Sequence, residues 1–267
     1  MSSLDHRIAA VGADTVRLLG VDFVPLRQTG RARPSVQIEH KPVATPPAST
    51  AARSAPDAQR LLDALRKRYE ADAPHRQFVT DHHSIVFGEG DPCARLMFIG
   101  EAPGAEEDKT GRPFVGKAGQ LLEKMIAAMG LSREQVYICN VLKTRPPNNA
   151  TPTGWEAELC KPYLVDQIRI VRPEAIVTLG LPATKTVLGR DGTMGGFRAR
   201  FETVRYGAEQ GILPEAQSLG AVEVAVMPTY HPAYLLRDYT PENRKKVWSD
   251  LLQVVEKLGL KPKPATE

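Results

Sequence analysis

Apolar residues follow two different spacings from about residue 57 onward, and each spacing predicts one kind of secondary structure. Apolar positions three or four residues apart predict helices, and short unbroken apolar runs predict buried strands. The predicted helices cover residues 58–69, 119–129, 153–170, 181–188 and 240–258. Four core strands are predicted at residues 95–101, 135–142, 174–179 and 222–227, with a shorter strand at residues 84–87. Because strands and helices mostly alternate, we expect a three-layer α/β/α sandwich around a central, mostly parallel four-stranded sheet.

The chain that precedes this region has a different composition. Residues 1–24 carry one helical pattern, and residues 25–56 are rich in Pro, Ala, Ser, Thr and Arg, which is typical of a disordered linker. We therefore expect a short N-terminal helical extension, a linker, a globular domain at residues 57–260 and a tail at residues 261–267. The N-terminal helix offers a docking element for an unknown partner, although a loosely attached extension is the simpler interpretation.

Composition and charge narrow the function classes only slightly. The chain of 267 residues has 42% hydrophobic and 25% charged residues, and its net charge of +4 permits a nucleic-acid partner without requiring one. No stretch approaches the roughly 20 apolar residues of a membrane span, and the start does not resemble a secretory signal. These features predict a cytoplasmic protein that does not bind a membrane.

The candidate chemistry begins where the first core strand ends. Residues 100–104 read Gly-Glu-Ala-Pro-Gly, and residues 111–119 read Gly-Arg-Pro-Phe-Val-Gly-Lys-Ala-Gly. Glycines allow tight turns and prolines stiffen them, so the acid Glu101 and the aromatic Phe114 are held over a concave backbone that suits a flat polar heterocycle. Because two further blocks also follow core strands, we expect one active site at a single edge of the sheet.

Three ordered blocks resemble motifs of the family 4 uracil-DNA glycosylases. They are the glycine-rich block above, Tyr-Ile-Cys-Asn-Val-Leu-Lys-Thr-Arg-Pro-Pro-Asn-Asn at residues 137–149, and His-Pro-Ala-Tyr-Leu-Leu-Arg at residues 231–237. The resemblance covers about residues 87–258. It implies a DNA repair enzyme that acts on uracil flipped out of DNA and hydrolyses its N-glycosidic bond to leave an abasic site. We also expect the protein to be a monomer.

The resemblance implies a role for each side chain of the predicted pocket. Asn140 matches the family's uracil-reading residue, since one amide satisfies both uracil O4 and N3–H, although a turn Asn is an equally good interpretation of the residue alone. His231 would donate to uracil O2, with a helix-capping or surface position as its alternative, and Glu101 would position the attacking water or stabilise the sugar cation. Phe114 would stack on the base, with an ordinary core position as its alternative. The predicted backbone wall consists of Gly100, Ala102 and Gly104.

The predicted DNA contacts are Arg145, Pro146, Pro147, Leu235, Leu236 and Arg237. The first three form a rigid turn that would face a phosphate, and the others belong to a segment that resembles the family's duplex-wedging loop. Either leucine would fill the gap left by the flipped base, and Arg237 would contact phosphate. A place in the core is the alternative for both leucines. Residues 106–108, Glu-Glu-Asp, are expected to form a solvated acidic turn.

The cysteines depart from the family pattern. Family 4 enzymes usually hold an iron–sulfur cluster on four cysteines, whereas this chain has three cysteines, no C-x-x-C pair, and only Cys160 at a matching position. Thr144 stands where another ligand would be. We therefore predict no iron–sulfur cluster, no other cofactor and no metal site. The histidines His75, His82 and His83 could bind a metal together with Cys160, but their irregular spacing favours an interpretation as solvated loop residues.

Two other functions remain open on the sequence alone. The first is a non-catalytic DNA-damage binding module with the same fold, which the joint presence of the four pocket side chains disfavours. The second is a glycosylase for another deaminated or oxidised base, which Asn140 does not exclude. Release of base from a uracil-containing oligonucleotide separates these alternatives.

Overall fold

One six-stranded sheet lies at the centre of the molecule. The computed structural model describes residues 54–262, so the predicted N-terminal helix, residues 25–53 of the linker and residues 263–267 of the tail lie outside the described residues. The strands are β1 (Glu89–Gly90), β2 (Leu96–Gly100), β3 (Tyr137–Asn140), β4 (Ala175–Leu179), β5 (Glu202–Tyr206) and β6 (Val222–Thr229). Their order across the sheet is β1-β3-β2-β4-β6-β5.

The four central strands are parallel, as the sequence predicts. β3, β2, β4 and β6 pair in one direction, whereas the outer strands β1 and β5 run antiparallel to their neighbours. The predicted fold class is therefore confirmed, with two edge strands added. The strand predicted at residues 84–87 does not form, and the two-residue β1 follows it. β5 escapes prediction because it mixes charged and apolar residues at a half-exposed edge of the sheet.

Eight α-helices within residues 54–262 accompany the sheet. They are α1 (Ala55–Asp72), α2 (Ala105–Thr110), α3 (Lys117–Ala128), α4 (Gly154–Val171), α5 (Leu181–Leu188), α6 (Met194–Phe197), α7 (Pro232–Arg237) and α8 (Pro241–Lys257). The five predicted helices are confirmed as α1, α3, α4, α5 and α8. Helices α2, α6 and α7 are too short to carry an apolar repeat, so the pattern does not reveal them. None of the helices described here combines the length and the apolar character needed to cross a membrane.

The two faces of the sheet support separate hydrophobic cores. Along β2, Met97 and Ile99 pack into one core with side chains of α1, α4 and α5, whereas Leu96 and Phe98 pack into the other with side chains of α3, α7 and α8. This division follows from the two-residue period of a strand, which points successive side chains to opposite faces. All four side chains are essentially inaccessible to solvent. The layered arrangement leaves the carboxyl ends of the parallel strands open as a common edge.

A buried ion pair joins α4 to the irregular segment that precedes β6. The Arg169 guanidinium donates to Asp166 Oδ1 at 2.8 Å and to the carbonyl oxygen of Ala216 at 2.8 Å. The other carboxylate oxygen of Asp166 accepts from the backbone N–H groups of Ile212 and Leu213, at 2.6 and 2.7 Å. Both charged side chains are fully buried. The two side chains therefore satisfy each other's charge, and they also provide hydrogen-bond partners for buried backbone groups that have no access to water.

We predict that Asp166→Ala lowers the free energy of unfolding by about 3–5 kcal/mol, because it removes the only negative charge paired with the buried guanidinium in the described ion pairs and leaves the N–H groups of Ile212 and Leu213 without their acceptor. Helix α4 offers a matched control in the Lys161–Glu158 pair, which has the same spacing and a 3.0 Å contact, but in which the Glu158 side chain is 64% exposed. Glu158→Ala should cost less than about 1 kcal/mol. Urea unfolding of both variants provides the measurement, and equal losses would contradict this account.

Candidate active site

A cavity of about 390 Å³ opens at the carboxyl ends of the parallel strands. Eight of the predicted site residues line it, namely Glu101, Ala102, Gly104, Phe114, Asn140, Pro146, His231 and Arg237. They come from the segments that follow β2, β3 and β6. Parallel strands end at the same edge, so residues far apart in sequence meet there. The structure thus brings together all four side chains that were predicted to form the pocket.

Asn140 ends β3, lines this cavity and carries an unsatisfied polar atom. Its side chain is 1% exposed, and its Oδ1 atom has no hydrogen-bond partner in the part of the chain that the structure describes. Strand pairing places Gly100 of β2 directly opposite Asn140. A Cβ atom at Gly100 would lie 2.3 Å from Asn140 Oδ1 and 2.5 Å from Phe114 Cζ, so only glycine leaves room for both side chains.

His231 is the N-cap of α7, and this position determines its tautomer. Its Nδ1 atom accepts a hydrogen bond from the backbone N–H of Ala233 at 3.0 Å, so the proton of the neutral ring resides on Nε2. The pKa of His231 is lowered to about 4; burial is the largest cause, the nearby charge of Arg237 acts in the same direction, and the charge of Glu107 opposes the shift. At neutral pH the ring is therefore an uncharged Nε2–H donor.

The ring of Phe114 lies beside the imidazole of His231. The two ring centroids are 5.6 Å apart, and the planes are inclined by 31°. Phe114 is 5% exposed, and its backbone has φ of 51°, in the left-handed region that bulky residues rarely adopt. The cavity therefore has an aromatic surface close to a hydrogen-bond donor and a free amide oxygen, which suits a planar polar ring.

Glu101 occupies the wall of the cavity just after β2. Burial raises the pKa of its carboxyl group, while a hydrogen bond with Thr151 and the positive charge of Arg237 act in the opposite direction. Thr151 lines the same cavity and was not singled out from the sequence. Its contact with Glu101 depends on the path of the loop after β3, which no local pattern predicts.

The acidic turn predicted at residues 106–108 is wrong for two of its three residues. Glu107 is 9% exposed, and its Oε1 atom accepts from the N–H groups of Val115 and Gly116, both at 2.8 Å. Its Oε2 atom accepts from Gly104 N–H at 3.2 Å. Asp108 is 1% exposed and accepts from two further backbone N–H groups. The local signal for Glu107 is its place three residues after Gly104, because an N3 Glu can accept from the N–H of the N-cap residue, which is one half of a capping box.

The predicted DNA contacts occupy different environments. Pro146 belongs to the cavity wall, whereas Arg145 donates to Asn149 Oδ1 at 2.8 Å and lies 3.6 Å from an oxygen of Asp81. Pro147 begins a short 3₁₀ turn, Pro147–Asn149. Arg145 is thus already engaged by neighbouring polar groups.

The segment that was expected to form a wedge loop is instead helix α7. Leu235 is 3% exposed and packs in the core shared with α3 and α8, which agrees with the alternative of a core position. Leu236 is 44% exposed, and Arg237 lies on the rim of the cavity. The helix points these neighbouring leucines in different directions, which leaves Leu236 as the accessible one of the pair.

Comparison with known proteins identifies relatives for most of the described region. A family model described as the uracil DNA glycosylase superfamily matches residues 87–252. A Type-4 uracil-DNA glycosylase of Thermotoga maritima is 44% identical over 168 residues, which is 63% of this chain and 80% of the relative. A Type-4 uracil-DNA glycosylase of Archaeoglobus fulgidus is 43% identical over 67% of this chain and 84% of its own length. A Type-5 uracil-DNA glycosylase of Pyrobaculum aerophilum is 33% identical over 55% and 64%.

These relatives contradict the prediction that no cofactor is present, because they bear the Type-4 name, the class with which the resemblance associates an iron–sulfur cluster. A four-cysteine cluster needs four thiolates, whereas this chain has three cysteines in all, Cys93, Cys139 and Cys160. Cys160 is buried at one ligand position, but Thr144, which stands at another, has no thiol. Residues 54–262 contain no group of three or more His, Cys, Asp or Glu that could hold a metal ion. The described residues do not fit a four-thiolate cluster, and no chemical step is assigned to one.

We predict that His231→Asn reduces the acid sensitivity of folding. The folded pKa of His231 is about 4, below its ordinary value of 6.5, so between these values the unfolded chain takes up a proton that the native protein refuses. Wild-type stability should therefore fall by up to about 3 kcal/mol from this residue as the pH decreases from about 6.5 to 4. Asn keeps an N-cap acceptor but cannot titrate.

Urea unfolding of both proteins at several pH values across this window provides the measurement. The pH dependence should be shallower in the variant, with the difference confined to that window. Parallel stability curves for wild type and variant would show that His231 is not held in its neutral form.

Proposed function

This chain belongs to the uracil-DNA glycosylase superfamily and is a DNA repair glycosylase that excises uracil, and we propose that Asn140, His231 and Phe114 form its base-binding pocket. The reaction is hydrolysis of the N-glycosidic bond, which leaves an abasic site in the DNA. The observation that carries the assignment is the buried, unpartnered Oδ1 of Asn140, a residue that lines the cavity together with the neutral imidazole of His231. A buried polar atom without a partner is costly unless a ligand satisfies it.

Asn140 supplies base selection in this proposal. Its Oδ1 accepts from uracil N3–H, and its side-chain NH₂ donates to uracil O4. Cytosine presents the reverse arrangement at these positions, so binding it would leave buried polar groups unpaired on both sides. Discrimination of this kind is strong, because the penalty is a lost pair of hydrogen bonds rather than a difference in shape.

His231 stabilises the departing base. Breaking the glycosidic bond transfers negative charge to uracil, and the Nε2–H donor of His231 is aimed at O2, where part of that charge develops. The Nδ1 atom is held by the N–H of Ala233, so the ring does not need to reorient during the reaction. A donor fixed before the reaction lowers the barrier because it pays no reorganisation cost.

Glu101 and Phe114 complete the proposed site. As a carboxylate, Glu101 orients the attacking water or stabilises positive charge on the sugar, and its place beside Thr151 keeps it on the wall of the cavity. Phe114 stacks on the face of the flipped base. Crowding around this ring disfavours the 5-methyl group of thymine, and Watson–Crick pairing of thymine adds to the selectivity.

The proposal extends to the DNA contacts, the oligomeric state, the cellular location and the N-terminal region. Arg237 contacts a phosphate beside the flipped nucleotide, and Leu236 is the candidate to enter the duplex, since it is the exposed leucine of α7. The protein acts as a monomer in the cytoplasm. The N-terminal helix and the linker, with the globular domain beginning near residue 57, stay predictions, as does the docking of a partner by that helix.

Two alternatives are tested by the same assay. A non-catalytic binding module would hold uracil DNA without releasing base, and a glycosylase of different specificity would prefer another damaged base. The relatives favour catalysis on uracil, because their names describe uracil-DNA glycosylases. The decisive experiment is incubation with uracil-containing and thymine-containing oligonucleotides, followed by alkaline cleavage of abasic sites.

We predict that Asn140→Ala and His231→Ala each reduce single-turnover excision by on the order of 10²–10³-fold, because each removes hydrogen bonds that a preorganised site directs at the base or its developing charge. Binding of DNA that carries an uncleavable, 2′-fluorinated deoxyuridine should change much less. Fluorescence anisotropy provides that internal control. Variants that excise uracil at the wild-type rate would remove these residues from the pocket assignment.

We predict that Arg237→Ala weakens binding to uracil DNA and reduces the slope of log K against log salt concentration by about one unit, as expected for one lost phosphate contact. Arg66→Ala is the control, since Arg66 lies on α1, is 54% exposed and does not line the cavity. Binding measured over a series of salt concentrations tests both variants. An unchanged slope for Arg237→Ala would show that this side chain contacts no phosphate.

A further inference from the structure

The backbone of Phe114 adopts a conformation that the residue does not favour by itself. Its φ of 51° lies in the left-handed region, where a bulky side chain crowds its own backbone. Residues persist in such conformations only where the surroundings hold them. Because the ring is placed beside His231 and Asn140 by this turn, whatever holds the turn also determines the shape of the base pocket.

Arg133 donates hydrogen bonds to the two backbone carbonyl groups of the turn at Phe114. Its Nη1 atom donates to the carbonyl oxygen of Phe114 at 2.9 Å, and its Nη2 atom donates to the carbonyl oxygen of Pro113. The planar fork of a guanidinium suits two adjacent acceptors, which a lysine ammonium cannot match. The Arg133 side chain is only 10% exposed, so these contacts are largely shielded from water.

Arg133 is in turn fixed by Glu89 of β1. The Nε atom of Arg133 donates to Glu89 Oε1 at 2.6 Å, which uses the donor that points away from the two carbonyls. β1 pairs with β3, and Arg133 begins the turn that leads into β3. The turn at Phe114 is therefore tied to the edge of the sheet through one charged pair.

The other side of the same segment is held independently. Glu107 accepts from the N–H groups of Val115 and Gly116, and Gly119 approaches so closely that a Cβ atom there would lie 2.0 Å from the carbonyl oxygen of Phe114. These contacts restrain the chain after Phe114, but they leave the carbonyls of residues 113 and 114 to Arg133. Loss of Arg133 would therefore release one side of the turn while the other side stays in place.

We propose that Arg133, anchored by Glu89, is a positioning residue that fixes the Phe114 ring in the orientation that stacks on uracil. The proposal rests on the stacking role given to Phe114 above. Stacking acts on the bound base and on the departing base alike, so its loss weakens binding more than it slows the chemical step. Arg133 itself touches no substrate.

The experiment compares Arg133→Gln with Arg112→Gln. Arg112 also donates to Glu89, at 2.8 and 3.0 Å, but its side chain is 60% exposed, and it is not hydrogen-bonded to the carbonyl of Pro113 or Phe114. Two quantities are measured for each protein. They are the dependence of single-turnover excision on DNA concentration, and inhibition of excision by free uracil, which reports on the pocket without DNA contacts.

For Arg133→Gln we expect both the half-saturating DNA concentration and the inhibition constant of uracil to rise on the order of 10-fold, with a maximal rate within about 2-fold of wild type. Arg112→Gln should behave as wild type. The double variant Arg133→Gln/Phe114→Ala should be no worse than Phe114→Ala, because both changes remove the same stacking contact. If Arg133→Gln does not fold, Arg133→Lys replaces it, with a partial rise of both constants expected.

Wild-type constants in the Arg133 variant, equal losses in the Arg112 control, or a loss confined to the maximal rate would each overturn the proposal. The last of these results would indicate a smaller active fraction rather than a displaced ring. Failure of the proposed function has a different signature, since wild-type protein itself would then release no uracil.

Discussion

One buried carboxylate, that of Glu107, underlies the geometry of the whole pocket. It accepts from the N–H groups of Gly104, Val115 and Gly116, and so closes the loop between β2 and α3 on itself. Gly104 is the N-cap of α2 and Gly116 is the N-cap of α3, and neither glycine has a side chain that could cap its helix. Without Glu107, the N–H groups at two helix starts would lose their partner, a cost of about 1–3 kcal/mol for each buried group.

The closed loop places Phe114 above the ends of β2 and β3, and glycines at neighbouring strand ends make room for the functional side chains. Gly100 pairs with Asn140 in the sheet, and its missing side chain leaves space for the amide and for the ring. Gly180, which follows β4, has φ of 90°, and a Cβ atom there would lie 3.1 Å from Cβ of His231. Asn140 and His231, the two polar residues that we assign to base recognition, thus each lie next to a glycine at the end of a neighbouring strand.

Burial around the pocket also sets the charge of its members. The same withdrawal from water lowers the pKa of His231 and raises that of Glu101, since it disfavours the charged form of either group. Glu107 and Arg237 lie close enough to shift His231 in opposite directions, and the burial contribution is the largest. The neutral donor His231 lies near the positively charged Arg237 on the rim of the cavity. This arrangement suits a uracil base that becomes negative as it leaves the negatively charged DNA.

The amino-acid sequence alone was sufficient for the parallel core of the sheet, the five longer helices and the convergence of Glu101, Phe114, Asn140 and His231. These features follow from apolar spacing, from local caps such as Thr153 and Thr240, and from the rule that parallel strands end at one edge. Only the tertiary structure decided that Glu107 is buried and that Leu235 packs in the core while Leu236 is exposed. It also decided that Arg133 donates a hydrogen bond to the carbonyl oxygen of Phe114. The reason is physical: burial and backbone strain depend on contacts such as those of Glu107 with Val115 and Gly116, 8 and 9 positions away, and of Arg133 with Phe114, 19 positions away. Periodicity, in contrast, reports only on the nearest turn of helix or strand.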